Sequence, residues 1–208
     1  MLQNRVNPFG EIFVTGARGA WMGNRGQLHG SGKTILRPFK LKAWLICLLV
    51  FKNRNRQVMS PNQYTELFFL DEATAFAAGH RPCFECRRTD YELFKNSWLS
   101  GNPEFGFTSK TSIQQIDQIL HAERIDKQGK KQVFTARLQE LPRGSFILWG
   151  GKPFLVCGKK IRPWTPFGYG DAVELSPEFP VSVLTPKSSV NAFRKGYGPQ
   201  IHPSGDPC

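Results

Sequence analysis

Acidic residues are scarce in this chain. Its 16 Asp and Glu stand against 28 Lys and Arg, which leaves a net charge of +12 over 208 residues. An excess of that size points to a polyanionic partner, with nucleic acid first and an anionic membrane surface second. Long hydrophobic runs are also missing. The most apolar stretch, residues 43–51, is far shorter than the roughly 20 residues needed to span a bilayer, so no membrane span is expected. Residues 1–10 lack the hydrophobic core of a secretion signal. Cysteine is sparse and odd in number: Cys47, Cys83, Cys86, Cys157 and Cys208. That excludes a fully paired disulfide framework and predicts a reducing, cytoplasmic setting. No internal repeat or long low-complexity linker is present.

A second absence removes an enzymatic class. Residues 15–34 are rich in glycine and carry Arg18, Arg25, His29 and Lys33, and Gly32-Lys33-Thr34 matches the end of a phosphate-binding loop. The pattern needs a glycine at position 27, where the chain has Gln, and Pro38 blocks the helix that must follow. Nucleotide hydrolysis by that loop is rejected. Backbone amides and arginines meeting a phosphate remain an open reading, beside that of a turn-rich surface segment.

What is present is concentrated in residues 67–88. Leu67 to Leu70 is an apolar run too short for a helix, which predicts a buried strand. Asp71 is a natural N-cap and Glu72 suits the first turn of a helix. Gly79 and then Pro82 end that helix. Cys83-Phe84-Glu85-Cys86 follows at once, bracketed by Arg81, Arg87 and Arg88. Two thiolates across a tight turn are half of a tetrahedral zinc site. The other ligands must come from Cys47, His29, His80 or His121, with Cys47 first. His80 lies too close to Cys83 to join it without straining the turn. A metal-free knuckle and a redox pair are the alternatives for the same two cysteines.

Residues 71–88, with Ala77-Ala78-Gly79-His80-Arg81-Pro82-Cys83-Phe84-Glu85-Cys86-Arg87, resemble the second half of the Ada-type metal-binding module of DNA alkylation-repair proteins. Trp44 to Val50 resembles that module's Trp-led strand. The resemblance covers about residues 44–88 and implies zinc and contact with DNA near the knuckle. The module's methyl-accepting nucleophile belongs to an upstream cysteine pair, and residues 51–60 here contain no cysteine. No methyl-acceptor activity is therefore expected. The whole chain is also similar to a bacterial protein family that supplies no function.

Elsewhere the pattern predicts a strand at 11–14 and a central strand buried on both faces within 39–51. A helix capped by Thr89 and Glu92 should turn Tyr91, Phe94 and Trp98 inward, and another should run over 112–121. Short strands are expected at 134–138, 145–149, 153–157, 172–175 and 180–184, with a hairpin at Gly150-Gly151. Residues 162–170 read as a rigid aromatic connector. Residues 188–195 read as a short helix, and the tail from Tyr197 as loosely held. The expected fold is α+β. Residues 1–110 form a knuckle region with the Gly-rich loop, and residues 111–208 a helix plus a small antiparallel unit, together one fold.

The expected function is nucleic-acid binding, DNA before RNA, in repair or processing. The phosphate contacts expected are Arg18, Arg25, Lys52, Arg54, Arg56, Arg81, Arg87 and Arg88. The alternatives are a metal- or residue-dependent enzyme acting on nucleic acid or a nucleotide, and an interaction protein with a relic knuckle. No catalytic residue is named by the sequence.

Overall fold

In the computed structural model, which describes residues 1–52 and 57–206, the predicted strand at 67–70 lies inside a six-stranded sheet. Its strands are β1 (Gln3–Val6), β2 (Ile12–Val14), β3 (Trp21–Asn24), β4 (Leu45–Cys47), β5 (Leu67–Phe69) and β6 (Arg81–Pro82). They lie in the order β2-β1-β5-β3-β4-β6. The β1–β5 and β4–β6 pairs are parallel and the others antiparallel. Pro82 has no N–H to give, and it sits on the edge strand, where none is required.

Helix α1 (Glu72–Ala77) begins as expected, with the Asp71 side chain accepting from Thr74 N–H at 2.8 Å. Every residue of α1 is buried, because it lies between two cores. Phe76 packs into one core with Leu67, Phe69, Phe94 and Trp98. Ala73 and Ala77 face the other, with Phe146 and Leu155 of the second sheet and Leu184 just after it. The alanines let that sheet approach closely. Helices α2 (Arg88–Gly101) and α3 (Ile113–Arg124) complete the first core. Tyr91, Phe94 and Trp98 of α2 are buried, as are Ile116 and Leu120 of α3.

The second sheet is antiparallel. It contains β7 (Phe134–Arg137), β8 (Phe146–Trp149), β9 (Lys152–Cys157), β10 (Lys160–Thr165), β11 (Gly168–Tyr169), β12 (Val173–Glu174) and β13 (Pro180–Val183). Gly150 and Gly151, both at positive φ, turn β8 into β9. Helix α4 (Lys187–Arg194) returns to the first core through Ala192 and Phe193. The α+β class is as expected.

Several local expectations are corrected. Strand β1 was hidden in a polar start, and β3 lies within the Gly-rich stretch read as loop. Gly23 serves β3 because a Cβ there would sit 2.3 Å from the Phe69 ring. The long strand expected over 39–51 shrinks to β4, and Leu49 and Val50 are exposed. Helix α2 starts at Arg88, so Thr89 lies inside it instead of capping it. The 162–170 connector is mostly the β10–β11 hairpin. The C-terminal tail is held firmly. Tyr197 Oη donates to Glu72 at 2.6 Å, Gln200 N–H donates to Glu72 at 2.9 Å, and His202 N–H donates to Asp71 at 3.0 Å. The two acids that open α1 thus also anchor the chain end. Among the described residues, no helix is long and apolar enough to cross a membrane.

Candidate metal centre

Parallel pairing of β4 with β6 assembles the centre. Leu45 faces Arg81 and Ile46 faces Pro82, so the next positions, Cys47 and Cys83, arrive side by side. Cys83 N–H donates to the Ile46 carbonyl at 2.9 Å, and Arg87 N–H closes the following turn onto the Cys83 carbonyl at 3.1 Å. That turn swings Cys86 back. The three Sγ atoms lie within 4.8 Å of one another. A tetrahedral zinc with Zn–S bonds of about 2.3 Å spaces its sulfurs about 3.8 Å apart, so small side-chain adjustments suffice to bind one ion. Three soft thiol donors match zinc chemistry.

Electrostatics inside the cluster already favour a thiolate. Hydrogen bonds from Cys47 and Cys86 pull the Cys83 thiol far below its ordinary range, and the backbone N–H groups of Cys86 and Glu85 add to that effect. Cys47 is pushed far up, because it gives its proton to Cys83 and Cys86 and is buried. Without a cation, the cluster can hold its negative charge on Cys83 and resists adding more. A divalent ion removes that resistance.

Strand alternation sends Met22, Asn24, Leu45 and Cys47 to one face of the sheet. With Cys83 and Cys86 they line a cavity of about 840 Å³. Its lip includes the exposed Leu49 and Val50. The sequence gives little sign of this cavity, since its lip looks like the end of a buried strand.

His29, the other metal candidate, stands apart from the cluster. It is buried, with Nδ1 2.7 Å from Thr65 Oγ1 and Nε2 3.2 Å from the Ser60 carbonyl. His80 is fully buried and its Nε2 accepts from Arg25 Nε at 3.1 Å. Burial, and then Arg25 and Arg124, push its pKa far down, so its ring is neutral and structural.

The arginines divide sharply. Arg81 is buried and forms a two-pronged pair with Asp117, both contacts at 2.7 Å. Arg87 is buried against Glu72 at 2.7 Å and Asp90 at 2.9 Å, with its guanidinium 4.0 Å from the Trp21 ring centre. Arg25 is buried as well. The forks expected to meet phosphate at these positions instead fasten β6 and α2 to the core. Arg18, Lys52 and Arg88 are exposed. Arg88 covers the exposed Phe84 ring between the two knuckle cysteines and pairs with Glu92. Arg54, Arg56 and Cys208 lie outside the described residues.

Compared with known proteins, the chain matches no family model, no curated protein and no solved structure. The resemblance drawn from residues 44–88 therefore rests on the knuckle residues alone.

Proposed function

We propose that this is a zinc–thiolate protein in which Cys47, Cys83 and Cys86 hold one ion beside the 840 Å³ cavity, where a ligand is bound. The convergence of three thiols in a cavity wall carries this reading. Structural zinc takes four protein ligands, whereas a site with three leaves a position for water or substrate. Among the described residues the group has three members. An ion so held supplies a Lewis acid at the cavity wall. The chain's own residues shape the rest: Leu45, Leu48 and Phe68 give apolar walls, and Asn24 adds a polar amide. The test is zinc content of the purified wild type and of Cys83→Ser/Cys86→Ser and Cys47→Ser variants. About one zinc per chain is expected in the wild type, with loss in both variants. A folded wild type that takes up no zinc removes the reading.

A second reading keeps nucleic acid as the partner, and the net charge of +12 favours it. In this reading Arg18, Lys52 and Arg88 supply phosphate contacts, and Phe84 offers an exposed ring for stacking. Affinity for a short single-stranded DNA should fall steeply as salt rises. Affinity that is independent of salt would refute the electrostatic contact.

A further inference from the structure

A second cavity, independent of the thiols, has the opposite electrostatic character. It measures about 650 Å³ and lies between the turn before β2, the 35–39 loop and the turn after α3. Arg25, Arg37, Arg124, Lys130 and Lys131 line it, against a single carboxylate, Glu11. Glu11 accepts from the Asn7 side-chain amide at 2.8 Å.

Beneath this cavity lies an unusual stack. The Arg25 guanidinium sits 3.7 Å from the Trp44 ring centre and that of Arg124 sits 3.9 Å from it. Both arginines are buried. Their donors reach only neutral acceptors. Arg25 bonds to the Gly10 carbonyl at 2.9 Å and to His80. Arg124 bonds to the Gly79 carbonyl at 2.9 Å, the Lys42 carbonyl at 2.6 Å and His121 at 2.7 Å. Arg25 Nη2 and Arg124 Nε are buried with no hydrogen-bond partner among the described residues. Asp117 offsets part of the Arg124 charge, but both its oxygens are taken by Arg81. Half-buried Lys131, its Nζ donating to the Ala77 carbonyl, adds a third group that is positive below about pH 7 and that a bound anion would keep protonated above it.

Buried charge is normally paired, because desolvation costs several kcal/mol per ion. Cation–π contact with one indole compensates only part of that cost. The positive potential therefore projects into the cavity. We propose that this cavity binds a small organic phosphate. Its charged end would meet Lys131, Arg37 and Lys130 above the Arg25–Trp44–Arg124 stack, and its body would meet Phe9, Ile12, Ile35 and Phe39. The volume suits a small molecule and exceeds what a bare anion fills. A dianion answers several cations better than a carboxylate does.

The experiment is calorimetric titration of the full chain with adenosine 5′-monophosphate, inorganic phosphate and adenosine, at one low chloride concentration. Adenosine monophosphate should bind more tightly than phosphate, with adenosine weaker than both. Lys131→Met and Arg37→Ala should each weaken adenosine monophosphate about tenfold or more, equivalent to about 1.4 kcal/mol. Arg37 is exposed, so its variant serves if Lys131→Met fails to fold. Cys83→Ser/Cys86→Ser should bind the nucleotide as the wild type does if it folds, which separates this site from the zinc reading. The proposal is overturned if the wild type binds neither phosphate compound or binds adenosine as well as its phosphate. It is also overturned if both variants retain full affinity.

Discussion

Four arginines are buried among the described residues, and they come in two kinds. Arg81 and Arg87 meet carboxylates of their own chain. Arg25 and Arg124 meet an indole, a histidine and carbonyl groups. The first kind is complete once the chain has folded. The second leaves charge that an outside anion can use. Burial alone therefore does not distinguish a structural arginine from a functional one; the sign of its surroundings does.

The strongest way to break this comparison is to remove the acid from the complete pair. Asp117→Ala leaves Arg81 buried without a counter-charge and should cost about 3–5 kcal/mol in urea unfolding. A smaller loss would mean that Arg81 reaches water or another partner. Next comes the close approach of Arg124 to α1. Gly79 has φ +87°, and a Cβ there would lie 2.5 Å from Arg124 Cδ. Gly79→Ala should cost at least about 1 kcal/mol in the same assay, and it should weaken phosphate binding by shifting the stack.

Arg124→Met sharpens the contrast further. It removes a cation that has no carboxylate of its own and keeps an apolar chain against Trp44, but it also removes the hydrogen bonds to Gly79, Lys42 and His121, so in phosphate-free buffer it should cost about 1–3 kcal/mol, less than Asp117→Ala. Added phosphate should then stabilise the wild type and not the variant. A cost near that of Asp117→Ala would put both kinds of arginine in one class.

A further contrast is in pH. Burial, and then Arg124 and Arg25, pull Lys131 from its ordinary 10.5 down to about 7. Arg25, Arg37, Arg124 and Lys130 face the same cavity, with Glu11 the single acid. Between those two values the unfolded chain carries a proton that the folded chain lacks, so this group makes stability rise with pH. Unfolding measured from pH 7 to 10 should show that rise in the wild type relative to Lys131→Met. A flat difference would mean that Lys131 stays charged in the folded chain.

Local structure was legible wherever a signal was carried by neighbouring residues. Asp71, Gly79 and Pro82 mark the bounds of α1, and Gly150-Gly151 marks a hairpin. Tyr91, Phe94 and Trp98 show the buried face of α2 by spacing alone. The misreadings share one cause. Residues 39–51 are apolar in composition, yet most of that hydrophobicity lies outside β4, in loops and the lip of a cavity. The tail from Tyr197 looks loose because its partners, Asp71 and Glu72, are more than a hundred positions away. Arg81 looked like a surface contact because its partner, Asp117, lies on helix α3, 36 positions along the chain.

The sequence by itself determined the donor chemistry: soft thiols at Cys83 and Cys86, a third at Cys47, and a large surplus of positive charge. It also determined the α+β class, since caps, turns and periodicity act over a few residues. Only tertiary structure decided which thiols meet, because the parallel register of β4 and β6 is set by pairing with distant residues and by packing of the buried face of the sheet. Only tertiary structure decided which arginines are neutralised. Charge pairing depends on distances of a few ångströms, and residues far apart in the chain acquire those distances only on folding.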